Sequence, residues 1–415
     1  MTMMKKMPKE SGIDHTLALL KEGYPFLFNR RQEVDSTIFK TRILGQQAIA
    51  LSGKEAASLF YDNEKFRRSD AAPKRIQKTL FGEGGVQSLD GEAHHHRKAM
   101  FMTLMSRDGL NEMYEIIDKE LTAANQNWKK ENHIVLDKEI QKLLTKAACQ
   151  WVGVPLPDKE INQRTEQLAD MFESAASIGP KHWKGRKSRK DGEEWIISLV
   201  RQVRNNEMAV DEDRALYTFS WHRDLDGNLL NEKIVAVELL NLLRPIVAIS
   251  AYINFLVLAL YEHPEERENL KNTDNENRFE WFCQEVRRYY PFFPFAAARV
   301  KRDFIWNGFT FKEGTLTLLD LYGTNHDPNE WSEPNQFKPD RFQEWKGSPF
   351  DFIPQGGGEF NLGHRCAGEW MTLGVMKRCL SFFVHMDFEL PEQDLSYSMT
   401  EMPSKPKSKI IMQVH

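Results

Sequence analysis

Cysteine is scarce in this sequence. Four Cys, at positions 149, 283, 366 and 379, are scattered over 415 residues, and no two form a Cys-x-x-Cys pair. That spacing excludes a disulfide framework and fits a reducing cytoplasm. Any Cys with chemistry must act alone. An excess of one charge is also missing. Fifty-six Lys plus Arg against 60 Asp plus Glu leave a net charge of -4, which excludes a broad basic surface for nucleic acid or anionic lipid. There is no internal repeat and no low-complexity linker. Met1 to Gly12 carries charge without an apolar core, so no secretory leader is expected. The apolar run after Arg244-Pro245 contains Asn254 and reads as a buried central helix, so no membrane span is expected.

What is present supports a sizeable core: 41% hydrophobic and 28% charged residues. The length leaves two or three domains open. Helical periodicity dominates, over 73–80, 92–105, 109–130, 138–152, 158–177, 192–207, 230–262, 276–289 and 367–384. Ser52-Gly53-Lys54-Glu55 has the form of a capping box opening a short helix to Tyr61. The basic segment Lys181 to Lys190 reads as a solvated loop, with a substrate-entrance edge as the sharper alternative. Asp224-Leu225-Asp226-Gly227-Asn228 begins like a calcium loop but lacks the closing Glu, so a turn is expected. Two strands are expected around Leu44-Gly45, and a hairpin around Asn307-Gly308. The fold class is therefore mainly α with small β-sheets, an α+β chain.

The candidate chemistry begins at Phe360-Asn361-Leu362-Gly363-His364-Arg365-Cys366-Ala367-Gly368. Gly356, Gly357 and Gly358 lead into a lone Cys at the mouth of a helix. Glycines allow close approach to a flat ligand. The helix start, Arg365 and His364 are expected to favour a thiolate, as nucleophile or metal ligand. The plain alternative is a buried Cys. Upstream, Glu285-Val286-Arg287-Arg288 sets Glu285 and Arg288 on one helical face, and Pro339-Asp340-Arg341-Phe342 follows.

This ordered trio resembles the cytochrome P450 family over nearly the whole chain. The resemblance implies a haem b held between a long central helix and the Cys loop, in a single domain spanning 1–415. It implies Cys366 as the axial iron ligand, with Glu285, Arg288 and Arg341 as a buried structural network. His94 and Lys98, in Asp90-Gly91-Glu92-Ala93-His94-His95-His96-Arg97-Lys98, would reach the haem propionates. Three adjacent His could suggest a metal patch, but neighbouring helical side chains diverge and cannot converge on one ion.

Two departures from the usual family pattern stand out. The Cys loop is one residue short between its Arg and Cys366. The central helix lacks the acid–alcohol pair that relays protons to dioxygen. In its place stands Asn241-Leu242-Leu243-Arg244-Pro245. A buried Arg needs an acid, and Glu238 lies nearly opposite on the helix. The guanidinium suits a substrate carboxylate. Arg244-Pro245, with His182-Trp183-Lys184-Gly185-Arg186 and Arg287-Arg288-Tyr289-Tyr290-Pro291, resembles the bacterial fatty-acid peroxygenase branch.

That branch implies oxidation of long-chain fatty acids with hydrogen peroxide as co-substrate and no obligatory redox partner. The substrate carboxylate on Arg244 would serve as general acid and base. Catalytic roles fall to Arg244, Pro245 and Gln87. Leu80, Phe81, Phe292, Phe293 and Phe295 are candidates for the acyl channel. The other three Cys are expected in the core. Gln87 is a neutral amide, so hydroxylation at the α and β carbons is the expected main outcome and decarboxylation to a terminal alkene the minor one. The rival readings are a reductase-dependent monooxygenase, a mainly alkene-forming decarboxylase, and a non-catalytic haem-thiolate sensor or lipid carrier.

Overall fold

The computed structural model describes residues 5–415. Its organising element is the helix Glu232–Glu262, opened by the Asn231 side chain, which accepts from the Lys233 N–H at 2.9 Å. Nearly all its side chains are buried, and it runs unbroken through Pro245. It is the one described helix long and apolar enough to cross a membrane, yet 94% of its most apolar window is buried inside the protein. The polar residues in that run explain why. Asn254 donates to Asp137 at 3.0 Å and to the Ser250 carbonyl at 2.8 Å, and Asp137 pairs with Lys405 at 2.8 Å. Such groups need protein partners once they leave water.

Helices Leu136–Val152, Pro180–Arg204 and Glu369–His385 pack around the central helix. A five-stranded sheet flanks them, in the order Ile38–Ile43, Gln46–Leu51, Leu316–Asp320, Phe295–Val300, Phe66–Arg67. Its middle pair is parallel, with Ala48 opposite Leu316 and Leu51 opposite Leu319. Strands Phe304–Trp306 and Phe309–Phe311 form the expected hairpin. Asn307 and Gly308 both take positive φ, 50° and 83°, which matches the twist of the flanking strands. The chain's tail, Ile411–Val414, pairs with His133–Val135 and Phe388–Glu389.

Two local expectations are corrected. Ser52 does not cap the helix Lys54–Phe60; Gly53 is its N-cap and no side chain closes it. The Ser52 hydroxyl donates instead to buried Asp320 at 3.3 Å. The basic segment Lys181 to Lys190 is no loop but the first half of the helix Pro180–Arg204. Its buried face is made of His182, Gly185, Ser188, Arg189 and Gly192. A Cβ on Gly185 would sit 1.7 Å from Ser174 Oγ and 2.9 Å from the Asp170 carbonyl. Hydrogen there lets this helix lie directly on Ile161–Glu173. Asp224 is a turn, its carboxylate accepting from the N–H groups of Asp226 and Asn228 at 3.0 and 2.9 Å.

Candidate active site

The Cys loop is held from below by two ion-pair clusters. Glu285, fully buried, accepts from Arg288 Nε at 2.7 Å, Arg288 Nη2 at 2.8 Å, Arg341 Nε at 3.2 Å and the Lys338 N–H at 2.7 Å. The remaining Arg288 donors reach the carbonyls of Asn325, Pro334 and Gln336. Asn325 in turn accepts the Ile353 N–H at 2.8 Å and so fixes the start of the loop. The structure thus brings Glu285, Arg288 and Arg341 together.

Sequence reasoning missed the second cluster. Arg287, also buried, donates to Glu369 at 2.7 Å and to Gln355 at 2.9 Å, and Arg365 donates to the other Glu369 oxygen at 2.5 Å. Gln355 turns its amide N–H toward Cys366 Sγ at 3.9 Å. Arg287 stands beside Arg288 in sequence, but nothing local pointed to a partner 82 residues away. Of the three glycines before the loop, Gly356 is called for by its positive φ of 89°, and Gly357 and Gly358 by packing. A Cβ on Gly357 would lie 2.4 Å from the Pro349 carbonyl, and one on Gly358 would lie 2.9 Å from Tyr61 Cβ.

The electrostatics around Cys366 differ from expectation. Burial pushes its thiol up, Glu369 adds to this, and the Gly368 N–H, Arg287 and Lys98 oppose it. Arg365 is engaged by Glu369. Burial and the nearby charge of Arg68 hold His364 neutral. The helix itself begins later, at Glu369. The neighbours expected to favour a thiolate therefore do not, and coordination to a metal ion is what would remove the proton.

On the helix Gly91–Met102, His94 and Lys98 are both buried. Lys98 Nζ donates to the carbonyls of Gly363 and, at 2.9 Å, Arg365, so it lies against the Cys loop. Burial brings its ammonium down to about 8, against the pull of Cys366 and Glu359. His94 stacks on His364 with ring centroids 3.9 Å apart, and burial brings it down to about 4. Arg68, 8% exposed, leaves its buried Nη1 without a partner. A single thiol, the buried cations Lys98 and Arg68, the latter with an orphaned guanidinium N–H, and the neutral His94 imidazole suit a thiolate-ligated haem carrying two carboxylates. No group of three or more His, Cys, Asp or Glu able to cage a metal occurs among the described residues.

Above the loop stands Arg244 on the central helix, 6% exposed. Its side chain has no ion pair or hydrogen bond to the described residues, and its Nε is buried without a partner. Burial brings the guanidinium down to about 9; Arg189 pushes the same way and Cys366 opposes. It remains a cation at neutral pH. Glu238 is not its partner, because that carboxylate pairs with Arg97 at 2.8 Å. Arg244 is thus a buried cation in want of an anion.

The segment Gln77–Phe81 is a π-turn, in which Leu80 is buried and Phe81 half-buried. Arg189 donates to their carbonyls at 3.3 and 3.5 Å. The same Arg lies on a cleft of about 450 Å³ rimmed by Lys78, Arg186, Lys187 and Lys233, where the basic segment reaches the surface. Gln87 accepts from Asn241 Nδ2 at 3.2 Å. Leu80, Phe81 and Phe292 belong to the core cluster built on the central helix, with Phe292 stacked 4.2 Å from Tyr252. Phe293 packs on Phe292 at 4.8 Å and is 40% exposed. Phe295 packs elsewhere, against the cluster of Phe26, Phe39 and Leu318. Cys149, Cys283 and Cys379 are buried.

The Cytochrome P450 family profile matches residues 278–412. Among solved structures, cytochrome P450EX alpha (CYP152N1) with myristic acid is 51% identical, covers 99% of this chain and 98% of its own, and superposes with a TM-score of 0.95. A variant of cytochrome P450 OleT in complex with arachidonic acid is 35% identical with the same coverage and TM-score, 0.95. Beta-amyrin 6-beta-monooxygenase of Solanum lycopersicum is 21% identical over 91% of this chain and 85% of its own.

Proposed function

The chain belongs to the cytochrome P450 family, and from that premise we propose that it is a hydrogen-peroxide-dependent haem-thiolate peroxygenase that hydroxylates long-chain fatty acids. The observation that carries this reading is Arg244: a buried, unpartnered guanidinium on the central helix, where no Asp, Glu or Thr stands to relay protons. Its fork suits one carboxylate, and the relatives at 51% and 35% identity hold myristic and arachidonic acid.

Cys366 would ligate the haem iron, and Lys98, His94 and Arg68 would hold its carboxylates. When bound, the haem supplies activation of peroxide and removal of hydrogen from a C–H bond. Arg244 binds the fatty-acid carboxylate and fixes its orientation. That carboxylate can then hold the peroxide proton and pass it from one peroxide oxygen to the other, a role no side chain at this turn can fill. The balance is R–H plus H2O2 giving R–OH plus H2O, so no NAD(P)H or redox partner is required. Pro245 lacks an N–H and leaves a backbone acceptor free one turn below Arg244. Leu80, Phe81 and Phe292 line the start of the acyl channel and exclude water. With the head group pinned, only the second and third carbons reach the reacting position, so 2-hydroxy and 3-hydroxy acids are the products. Gln87 cannot donate a proton as an imidazolium would, so terminal alkene is minor.

We read residues 1–415 as one catalytic unit, working in the reducing cytoplasm that four unpaired cysteines suit. Incubating the purified haem protein with tetradecanoic acid and hydrogen peroxide, followed by gas chromatography, tests this. Hydroxy acids without NADPH are expected. Turnover only with NADPH and surrogate redox partners would overturn the reading, and alkene as the main product would overturn the assigned partition.

A further inference from the structure

A chain of hydrogen bonds crosses from the helix Gly91–Met102 to the loop that carries Gln87. Arg97 Nη1 donates to Glu238 Oε1 at 2.8 Å. Glu238 Oε2 accepts from Asn241 Nδ2 at 3.1 Å. The same Nδ2 donates to Gln87 Oε1 at 3.2 Å. Glu238 is fully buried and Arg97 nearly so, with side-chain exposures of 0% and 12%.

The polarity of this chain is set at its far end. A carboxylate paired with a guanidinium can only accept. Asn241 must therefore turn its NH2 group to Glu238. The second hydrogen of that NH2 then faces Gln87, and the atom opposing it must be an acceptor. Gln87 accordingly commits its carbonyl to Asn241 and leaves its own Nε2 without a partner among the described residues. The cost is visible: Asn241 Oδ1 is buried with no partner. An asparagine free to choose would not leave its acceptor stranded.

We propose that Glu238, fixed by Arg97, is a positioning residue that acts through Asn241 to hold Gln87 as a hydrogen-bond donor toward the fatty-acid head group. The proposal rests on the peroxygenase reading. Arg244 lies one turn along the same helix from Asn241, so the carboxylate it holds meets donors on two sides. Without the Glu238 charge, Asn241 is free to reverse. Gln87 would then give its N–H to Asn241 Oδ1 and turn a carbonyl toward the substrate carboxylate.

The test is a double-mutant cycle on the full-length haem protein, read by the spectral shift on titration with tetradecanoate. Glu238→Gln should weaken binding by about tenfold, the scale of one exchanged hydrogen bond to a charged group, and should change the ratio of 2-hydroxy to 3-hydroxy product. Glu238→Asp, which keeps the charge, should restore much of the binding. In a Gln87→Ala background, Glu238→Gln should have no further effect. If Glu238→Gln does not take up haem, Asn241→Ala replaces it in the cycle with the same expectations. An unchanged affinity, or an equal loss with and without Gln87, would overturn the proposal. A wild-type protein that neither binds tetradecanoate nor uses peroxide would overturn the functional reading as well.

Discussion

Replacing Glu285 by Ala should destabilise the fold by about 3–5 kcal/mol. The side chain is 0% exposed and gathers four donors, two from Arg288 and one each from Arg341 and the Lys338 backbone. Its removal leaves two guanidinium groups with no acid. Arg288 would keep its bonds to the carbonyls of Asn325, Pro334 and Gln336, but neutral acceptors do not cancel a buried charge. Against a total stability of roughly 5–15 kcal/mol, this is a large fraction. Because Arg288 steadies Asn325, which holds the Ile353 N–H, the Cys loop should loosen too. Urea denaturation followed by circular dichroism, with haem content per chain measured alongside, reads both effects. Glu285→Gln, which keeps the shape but not the charge, should fall between the wild type and Glu285→Ala. A loss below about 1 kcal/mol, the scale of an exposed ion pair, would refute the argument that this cluster is held out of water.

Lys98→Met should lower haem retention severalfold, because it removes a buried ammonium that lies against the Cys loop; haem content per chain after purification that matches wild type would contradict this. Gly185→Ala should lower stability by about 1–3 kcal/mol, seen as a fall in thermal midpoint, since its Cβ would meet the Asp170 carbonyl at 2.9 Å. His326, buried and donating from Nδ1 to the Tyr322 carbonyl at 2.9 Å, is brought down to about 3 by burial and the Arg288 charge. Its folded value lies below the unfolded value of about 6.5. Its contribution is therefore complete above pH 6.5 and is lost as the pH falls toward 3, by up to about 1.4 kcal/mol per pH unit. His326→Gln should flatten that limb of a stability–pH curve, and an unchanged slope would count against the assignment.

How much of this was legible in the sequence depends on whether the signal was local. The hairpin at Asn307-Gly308 and the strands around Leu44-Gly45 follow from turn chemistry and alternation, and both occur at those places. The helix Pro180–Arg204 was hidden in its first half because its buried stripe is Gly, Ser, His and Arg rather than aliphatic. Periodicity finds apolar stripes, not close-packed small ones. Glu285 and Arg288 are three residues apart and could be read together. Arg287 with Glu369, and Arg97 with Glu238, are joined only by the fold, across 82 and 141 residues. Phe295 shows the same limit: it follows Phe292 closely in sequence but packs against another cluster.

The central claim is that Arg244 presents the substrate's own carboxylate as the acid–base group. The most direct measurement is the peroxide-driven rate of fatty-acid oxidation in Arg244→Ala, made on protein whose haem spectrum matches wild type. The account predicts a loss of kcat/KM on the order of 10²–10⁴-fold, the usual worth of a positioned general acid–base. Oxidation of tetradecanoic acid at a rate within a few-fold of wild type would contradict it.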